Sequence, residues 1–145
     1  MEKEQQDQRD GLLEQCKNAG LRRTNALCVL LETLLVHELP MTLAELSEHE
    51  NLVNVCDRAT VFRLLQKLSN NGVVRRLGLH ERGAYFTLLI PGRHQDFLIC
   101  TDCGDIQPIN APCPVHQLEK DIAKKTGYSG LYHELEFFGK CPACN

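Results

Sequence analysis

Two short cysteine motifs carry the clearest chemistry in this sequence: Cys100-Thr101-Asp102-Cys103 and Cys141-Pro142-Ala143-Cys144. Together they offer four thiolates. A tetrahedral Zn²⁺ takes four such ligands, with Zn–S bonds of about 2.3 Å. The doubled CxxC favours one structural zinc; two disulfides or a thioredoxin-like redox pair are the other chemistries these residues support. Gly104 and Gly139, beside the two motifs, offer backbone freedom for tight turns around an ion. A site of this kind closes its coordination sphere and contributes folding energy, and implies no catalysis.

A second chemistry lies in the middle of the chain. Residues 51–93 hold seven Lys/Arg and two Asp/Glu, a local net charge of +5, in a chain that totals −3. A basic helix followed by a basic strand pair matches the electrostatic footprint of a DNA-backbone binder; an ordinary solvated helix face is the bland alternative. In a helix-turn-helix the second helix enters the major groove and its N-terminal residues meet base edges. Arg58, Thr60, Phe62 and Arg63 are the candidates for that role. Arginine can bridge guanine O6 and N7, and an aromatic face or threonine methyl can touch the thymine methyl. Arg22, Arg23, Arg75 and Arg76 are read as phosphate contacts.

The elements that must position these residues follow from pattern. Residues 5–18 read as a polar helix with Leu12, Leu13 and Cys16 on one side. Thr24 is the N-cap of a largely buried helix, Ala26 to Val36. Thr42-Leu43-Ala44-Glu45 is a capping box opening a short helix to about His49. Asp57 caps a helix from Arg58 to Asn71 whose Val61, Leu64, Leu65 and Leu68 recur at i, i+3, i+4 and i+7. Strands at 73–77 and 84–88, joined by a turn over 78–83, complete a winged helix-turn-helix. Beyond Pro91-Gly92, a strand at 97–99 leads into the first CxxC with a hairpin partner at 105–109. A helix over 115–126 follows, with Val115, Leu118 and Ile122 on one face, and a third strand over 131–138 leads into the second CxxC. The fold class is therefore α+β. The domains are a winged-helix DNA-binding domain at 1–89, a hinge at 90–93 and a small α/β domain at 94–145.

Composition sets outer limits. With 43% hydrophobic and 24% charged residues the chain can bury a core. The opening MEKEQQDQRD lacks the apolar stretch of a signal peptide, and no apolar run of about eighteen residues exists to span a membrane. A cytoplasmic protein that makes no membrane contact is expected, in a reducing setting where eight cysteines favour metal over disulfides.

These pieces together resemble the ferric uptake regulator (Fur) family of bacterial metal-responsive repressors. The resemblance runs from about Gly20 to Cys144. It is carried by Gly20-Leu21-Arg22-Arg23-Thr24, Arg58-Ala59-Thr60-Val61-Phe62-Arg63, the run from His94 to Cys100, and His133-Glu134-Leu135 through Cys144. It implies an N-terminal winged helix, a C-terminal dimerisation domain, and a homodimer that binds double-stranded, AT-rich palindromic operators when a regulatory metal is present. The family usually has Tyr where Phe62 stands and Arg where Leu27 stands. One familiar sensory site lies between the domains; the positions aligned with its ligands here are Gln95, Phe97, Pro40 and Thr87, none a good ligand for a first-row metal. That site looks absent.

The family's other sensory site, within the dimerisation domain, aligns with His94, Asp96, His116 and His133. All four positions carry ligand types. His94 and Asp96, at i and i+2, share a face of an extended segment. Such a His₃Asp set suits Fe²⁺, Zn²⁺ or Mn²⁺. Cys113 could replace or supplement a ligand. Cys56, next to a helix start, could be a reactive thiolate, although a plain turn cysteine is the simpler reading; Cys16 and Cys28 read as core thiols. His37, His49 and His80 read as surface or hinge residues, and His80 with Glu81 as a substitute interdomain pair.

The resulting reading is a metal-dependent, DNA-binding repressor controlling metal homeostasis or a related stress response. It holds one structural Zn²⁺ and a second, regulatory divalent ion, and has no small-molecule substrate. One alternative is a regulator of the same family without metal switching, independent of metal or controlled by thiol redox. A remoter one is a zinc-containing redox enzyme, for which no nucleophile–base pair or phosphate loop speaks.

Overall fold

Leu12 and Cys16, four residues apart, fall on one face of an otherwise polar helix, and both are buried. That face seats α1 (Glu2–Asn18) against α2 (Asn25–Val36) in a computed structural model that describes residues 2–78, 83–90 and 93–145. Arg9 Nη1 donates to Glu32 Oε1 at 2.6 Å and ties the same two helices at their rim. Thr24 caps α2 as its sequence predicts: its hydroxyl accepts from the Leu27 N–H at 3.2 Å.

The chain divides into two units, Met1–Arg93 and His94–Asn145. In the first, β1 (Met41–Thr42) precedes α3 (Leu43–Glu48). The Thr42 hydroxyl accepts from the Glu45 N–H at 3.1 Å and donates to the Glu45 carboxylate at 3.2 Å. Asp57 caps α4 (Arg58–Asn70) by accepting from the Thr60 N–H at 2.8 Å. The bonds to Thr60 hold the Asp57 carboxyl below its ordinary value. Val61, Leu65 and Leu68 turn inward, joining Leu27, Leu30, Leu31 and Leu46 in a single core. Antiparallel strands β2 (Val74–Leu77) and β3 (Tyr85–Leu88) follow, and β1 adds to the far side of β3, giving the order β1-β3-β2. Helix-turn-helix plus this sheet is a winged helix. The tip, residues 79–82, lies outside the described residues, as do the expected His80–Glu81 pair and Pro91-Gly92 of the expected hinge.

The second unit is a three-stranded sheet of order β5-β4-β6. β4 (Phe97–Cys100) and β5 (Ile106–Pro108) form an antiparallel hairpin. α5 (His116–Thr126) then carries the chain back so that β6 (Glu136–Gly139) lies parallel to β4, the crossover that parallel pairing demands. α5 ends at Gly127, whose φ of 77° gives the left-handed cap glycine favours. β6 is shorter than the strand expected over 131–138: Leu131–Leu135 has no regular structure. Leu118 and Ile122, expected to pack along one face, are 53% and 41% exposed, and α5 buries no residue.

The leucine core makes a stability prediction. Leu65→Ala, at a fully buried position, is expected to cost about 2–5 kcal/mol. Urea unfolding of the purified variant checks it; a loss under about 1 kcal/mol would mean that α4 does not rest on this core.

Candidate metal centres and nucleic-acid interface

The parallel register of β4 and β6 places most of the candidate metal-ligand residues. Phe97 pairs with Glu136 at one end, and Cys100 pairs with Gly139 at the other. Each strand runs straight into a CxxC, so the two motifs meet at one end of the sheet. Each strand is also preceded by candidate ligands: His94 and Asp96 before β4, His133 before β6. Those meet at the opposite end.

At the first end the Sγ atoms of Cys100, Cys103, Cys141 and Cys144 lie within 4.8 Å of one another. The Cys103 and Cys141 sulfurs are 3.8 Å apart. A tetrahedral ion with Zn–S bonds of about 2.3 Å sets its sulfurs about 3.8 Å apart, so the donors fit. All eight cysteines are free thiols; the structure forms neither of the disulfides that CxxC chemistry allowed. Backbone N–H groups of Cys141, Asp102 and Cys103 point at Cys100 Sγ at 3.3, 3.4 and 3.5 Å. These bonds, Cys141's foremost, draw the Cys100 thiol down to about 6. Cys144, hydrogen-bonded to the Cys141 sulfur and crowded by Cys103, is pushed up to about 12. Four sulfurs so close cannot all ionise unaided, and a bound divalent cation would supply the missing charge. Gly104 makes the turn with φ 77°. Gly139 does not, contrary to expectation: it closes β6 in extended form, and its carbonyl accepts from the Thr101 N–H at 2.8 Å, linking the two motifs.

At the other end the structure assembles His94, Asp96, Cys113 and His133, with donor atoms again within 4.8 Å. His94 Nε2 stands 3.0 Å from Asp96 Oδ1, yet that oxygen is buried without a hydrogen-bond partner. The two atoms stand at ion-pair distance within the one cluster. Asp96 is 7% exposed, and a carboxylate buried this far needs a cationic partner, which His94 or a bound ion can supply. Cys113 Sγ lies 3.0 Å from His133 Nε2. The His94 and His133 rings approach to 4.5 Å between centroids, tilted by 56°. His133 Nδ1 is bonded to the Glu119 carboxylate on α5, which orients the ring and leaves the Nε2 lone pair for the group. His116 is not in the group. It is the exposed first residue of α5, and Cys113, in the loop before it, occupies the position near His133. Glu119 had no signal in the sequence beyond lying within a helix. Gln95, in the run of aligned ligand positions, is tied back by its Nε2 to the carbonyls of Asp96 and Ile109 at 2.7 and 3.2 Å.

On the first unit, α4 presents Arg58, Phe62, Arg63, Gln66 and Lys67 outward. Phe62 is 44% exposed, although a phenyl ring this large would ordinarily be inside. Thr60 accepts from Arg63 Nη2 at 3.3 Å, holding that guanidinium along the helix. Arg22 and Arg23 are exposed in the turn before α2. Arg75 departs from expectation: at 6% exposure it is no surface cation, and Arg76 is the exposed residue of β2. Cys56 also departs from the reactive option, since burial pushes its thiol up, with Asp57 adding to the effect.

A winged helix with an exposed basic helix, followed by a unit holding two donor clusters, defines a metal-responsive, DNA-binding transcriptional regulator. Residues 18–138 match the sequence model of the ferric uptake regulator family, and the chain belongs to that family, whose members are regulators and not enzymes. The ferric uptake regulation protein of Vibrio cholerae (classical Ogawa) is 32% identical over 128 residues, covering 86% of this chain and 83% of that protein. That of Cupriavidus metallidurans is 30% identical over 131 residues, covering 86% and 87%. Among solved structures, the Vibrio cholerae ferric uptake regulator superposes with a TM-score of 0.62 at 28% identity, covering 87% of this chain and 96% of that one. The Helicobacter pylori regulator, described with three functional metal binding sites, gives 0.70 at 19% identity, covering 94% and 93%. No helix among the described residues is long and apolar enough to cross a membrane.

Glu119 offers a direct check on the second group. Glu119→Ala is expected to weaken its affinity for a divalent ion by about 10–100-fold, with a far smaller effect on metal at the four cysteines. Equilibrium dialysis against zinc measures both; undiminished binding would mean that the Glu119 bond does not prepare His133 for a ligand.

Proposed function

We propose that this protein is a homodimeric, cytoplasmic repressor with one structural zinc on Cys100, Cys103, Cys141 and Cys144 and a regulatory divalent ion at the group built on His94, Asp96 and His133. The observation that carries the reading is the second donor group, in which two imidazoles, a thiol and the buried Asp96 carboxylate bring their donor atoms within 4.8 Å of one another. The divalent ion supplies positive charge to this set of donors; the rest is done by the chain. His94 and Asp96 are among the first residues of the second unit, so immobilising them orders the chain where it leaves the DNA-binding unit. Such ordering controls DNA binding only through differential affinity for the DNA-competent state. Dimerisation is supported by apolar surface on the second unit: β6 is an edge strand with Phe137 and Phe138 both exposed, and Leu118 and Ile122 of α5 are uncovered as well. An open apolar edge of this kind calls for another chain to cover it.

For DNA, α4 reads base edges through Arg58, Thr60, Phe62 and Arg63, while Arg22, Arg23 and Arg76 contact phosphates. The two recognition helices of a dimer would then serve half-sites about 34 Å apart.

Two measurements test the reading. Arg63→Ala is expected to weaken operator binding by about 1–3 kcal/mol and relax sequence preference. Arg76→Ala should weaken binding to all sequences and reduce the salt slope by about one. Unchanged affinity in both, at one stated salt concentration, would place the DNA on another face. Separately, Cys141→Ser should lose the tightly held zinc and destabilise the second unit, read by metal content and thermal unfolding. Retention of zinc and of the dimer by that variant would remove the structural role.

A further inference from the structure

We propose that Cys113 supplies the fourth donor of the second group, and that its sulfur makes the group selective for a thiophilic, four-coordinate ion of the zinc class over iron(II) and manganese(II). The inference rests on the regulatory reading above and deepens it. His116, the position that resemblance favoured, is exposed on the first turn of α5 and outside the cluster. Cys113 is half-buried inside it, its sulfur 3.0 Å from His133 Nε2.

A simple thiol–imidazole hydrogen bond would account for that one pair. It does not account for the other half of the group. Asp96 Oδ1 is buried, 3.0 Å from His94 Nε2, and takes no hydrogen bond. The His94 and His133 rings face the same space. One cation on all four atoms neutralises the buried carboxylate and explains the convergence of sulfur, two imidazoles and a carboxylate. A tetrahedral ion with bonds of about 2.0–2.3 Å spaces its donors about 3.3–3.8 Å apart; the observed donors, 3.0 Å apart in the two tight pairs and all within 4.8 Å, bracket that range. Affinity rises from Mn²⁺ through Fe²⁺ toward the later metals, and thiolate ligands widen the gap for soft and borderline ions. Replacing an oxygen or nitrogen donor by sulfur therefore moves the preference toward zinc. Glu119, bonded to the far nitrogen of His133, fixes the tautomer that such a ligand needs.

The experiment uses the full chain with its cysteine-bound zinc in place and its exchangeable metal removed by a mild chelator. Cobalt(II) is titrated as a spectroscopic probe, and zinc(II) and manganese(II) are measured in competition with an indicator. One further cobalt per chain should bind with thiolate-to-cobalt charge-transfer absorption and the intense visible bands of a tetrahedral centre. Cys113→Ser should lose the charge-transfer band and reduce zinc affinity at least about tenfold more than manganese affinity. His116→Ala should change neither. In the unsubstituted protein, zinc should protect Cys113 from alkylation, a result that does not depend on any variant folding. An unaltered cobalt spectrum in Cys113→Ser, or loss of the site in His116→Ala, or alkylation of Cys113 indifferent to zinc, overturns the sulfur assignment. His94→Ala separates the two levels. If it abolishes exchangeable cobalt and metal-dependent operator binding while Cys113→Ser leaves both intact, only the sulfur assignment fails. If it leaves operator binding metal-dependent, the regulatory reading fails with it.

Discussion

Four cysteine sulfurs held within 4.8 Å are the constraint from which the second unit takes its form. Backbone N–H groups favour a thiolate at Cys100, and its neighbours then resist further ionisation. A divalent cation of the proposed kind would hold all four as thiolates. The unit has little else to hold it: Phe97, Ile99, Cys100 and Ile106 are its buried apolar residues, too few to offset the ordering of residues 94–145. Metal–sulfur bonds at the proposed zinc site would contribute what the missing core cannot, as in other small domains whose folding and metal binding are one process.

The first unit solves the opposite problem. Its leucine core is continuous from α1 to β3, and among its described residues no cluster of donors awaits a metal. A recognition helix must present the same side chains each time it meets DNA, and a packed core fixes them more firmly than an exchangeable ion could. Asp57 at the start of α4 and Val61, Leu65 and Leu68 along it fix both its axial position and its rotation. The outward arc of Arg58, Phe62 and Arg63 follows from that rotation. Constancy thus belongs to the reader and response to the unit that follows it.

What the sequence disclosed was what is local. Thr24, Asp57 and Gly127 announced their caps because a cap depends on a few neighbouring residues. The α4 stripe was legible because four apolar positions at helical spacing leave one rotation. The paired CxxC motifs were legible because the ligand spacing is itself the signal. Misreadings arose where a one-residue change of phase decides the outcome. Arg75 and Arg76 are adjacent, and strand register alone determines which is buried. His116 and Cys113 are three apart, and where α5 begins determines which one meets His133; Val115, without a side-chain cap, gives no local mark of that start. β1, two residues long, is too short for any periodicity to show. Leu118 and Ile122 were correctly seen as a stripe, but a stripe indicates that a covering surface exists without saying which chain supplies it.

The parallel pairing of β4 with β6 has a thermodynamic consequence. All four cysteines of one cluster, and His94, Asp96 and His133 of the other, lie in or beside the same two four-residue strands, with Cys113 added from the loop before α5. Slipping that register would pull apart Cys100 from Cys141 and His94 from His133 together. Whatever restrains the pair at one end lowers the entropy cost of restraint at the other, so ions bound at both proposed sites would be partners in a linkage cycle. Reciprocity would then apply: a filled cysteine cluster would raise affinity at the distant group, and occupancy there would raise affinity at the cysteines by the same factor. A chain that has lost its cysteine-bound zinc would therefore report the wrong concentration of its regulatory ion, even with His94, Asp96 and His133 untouched.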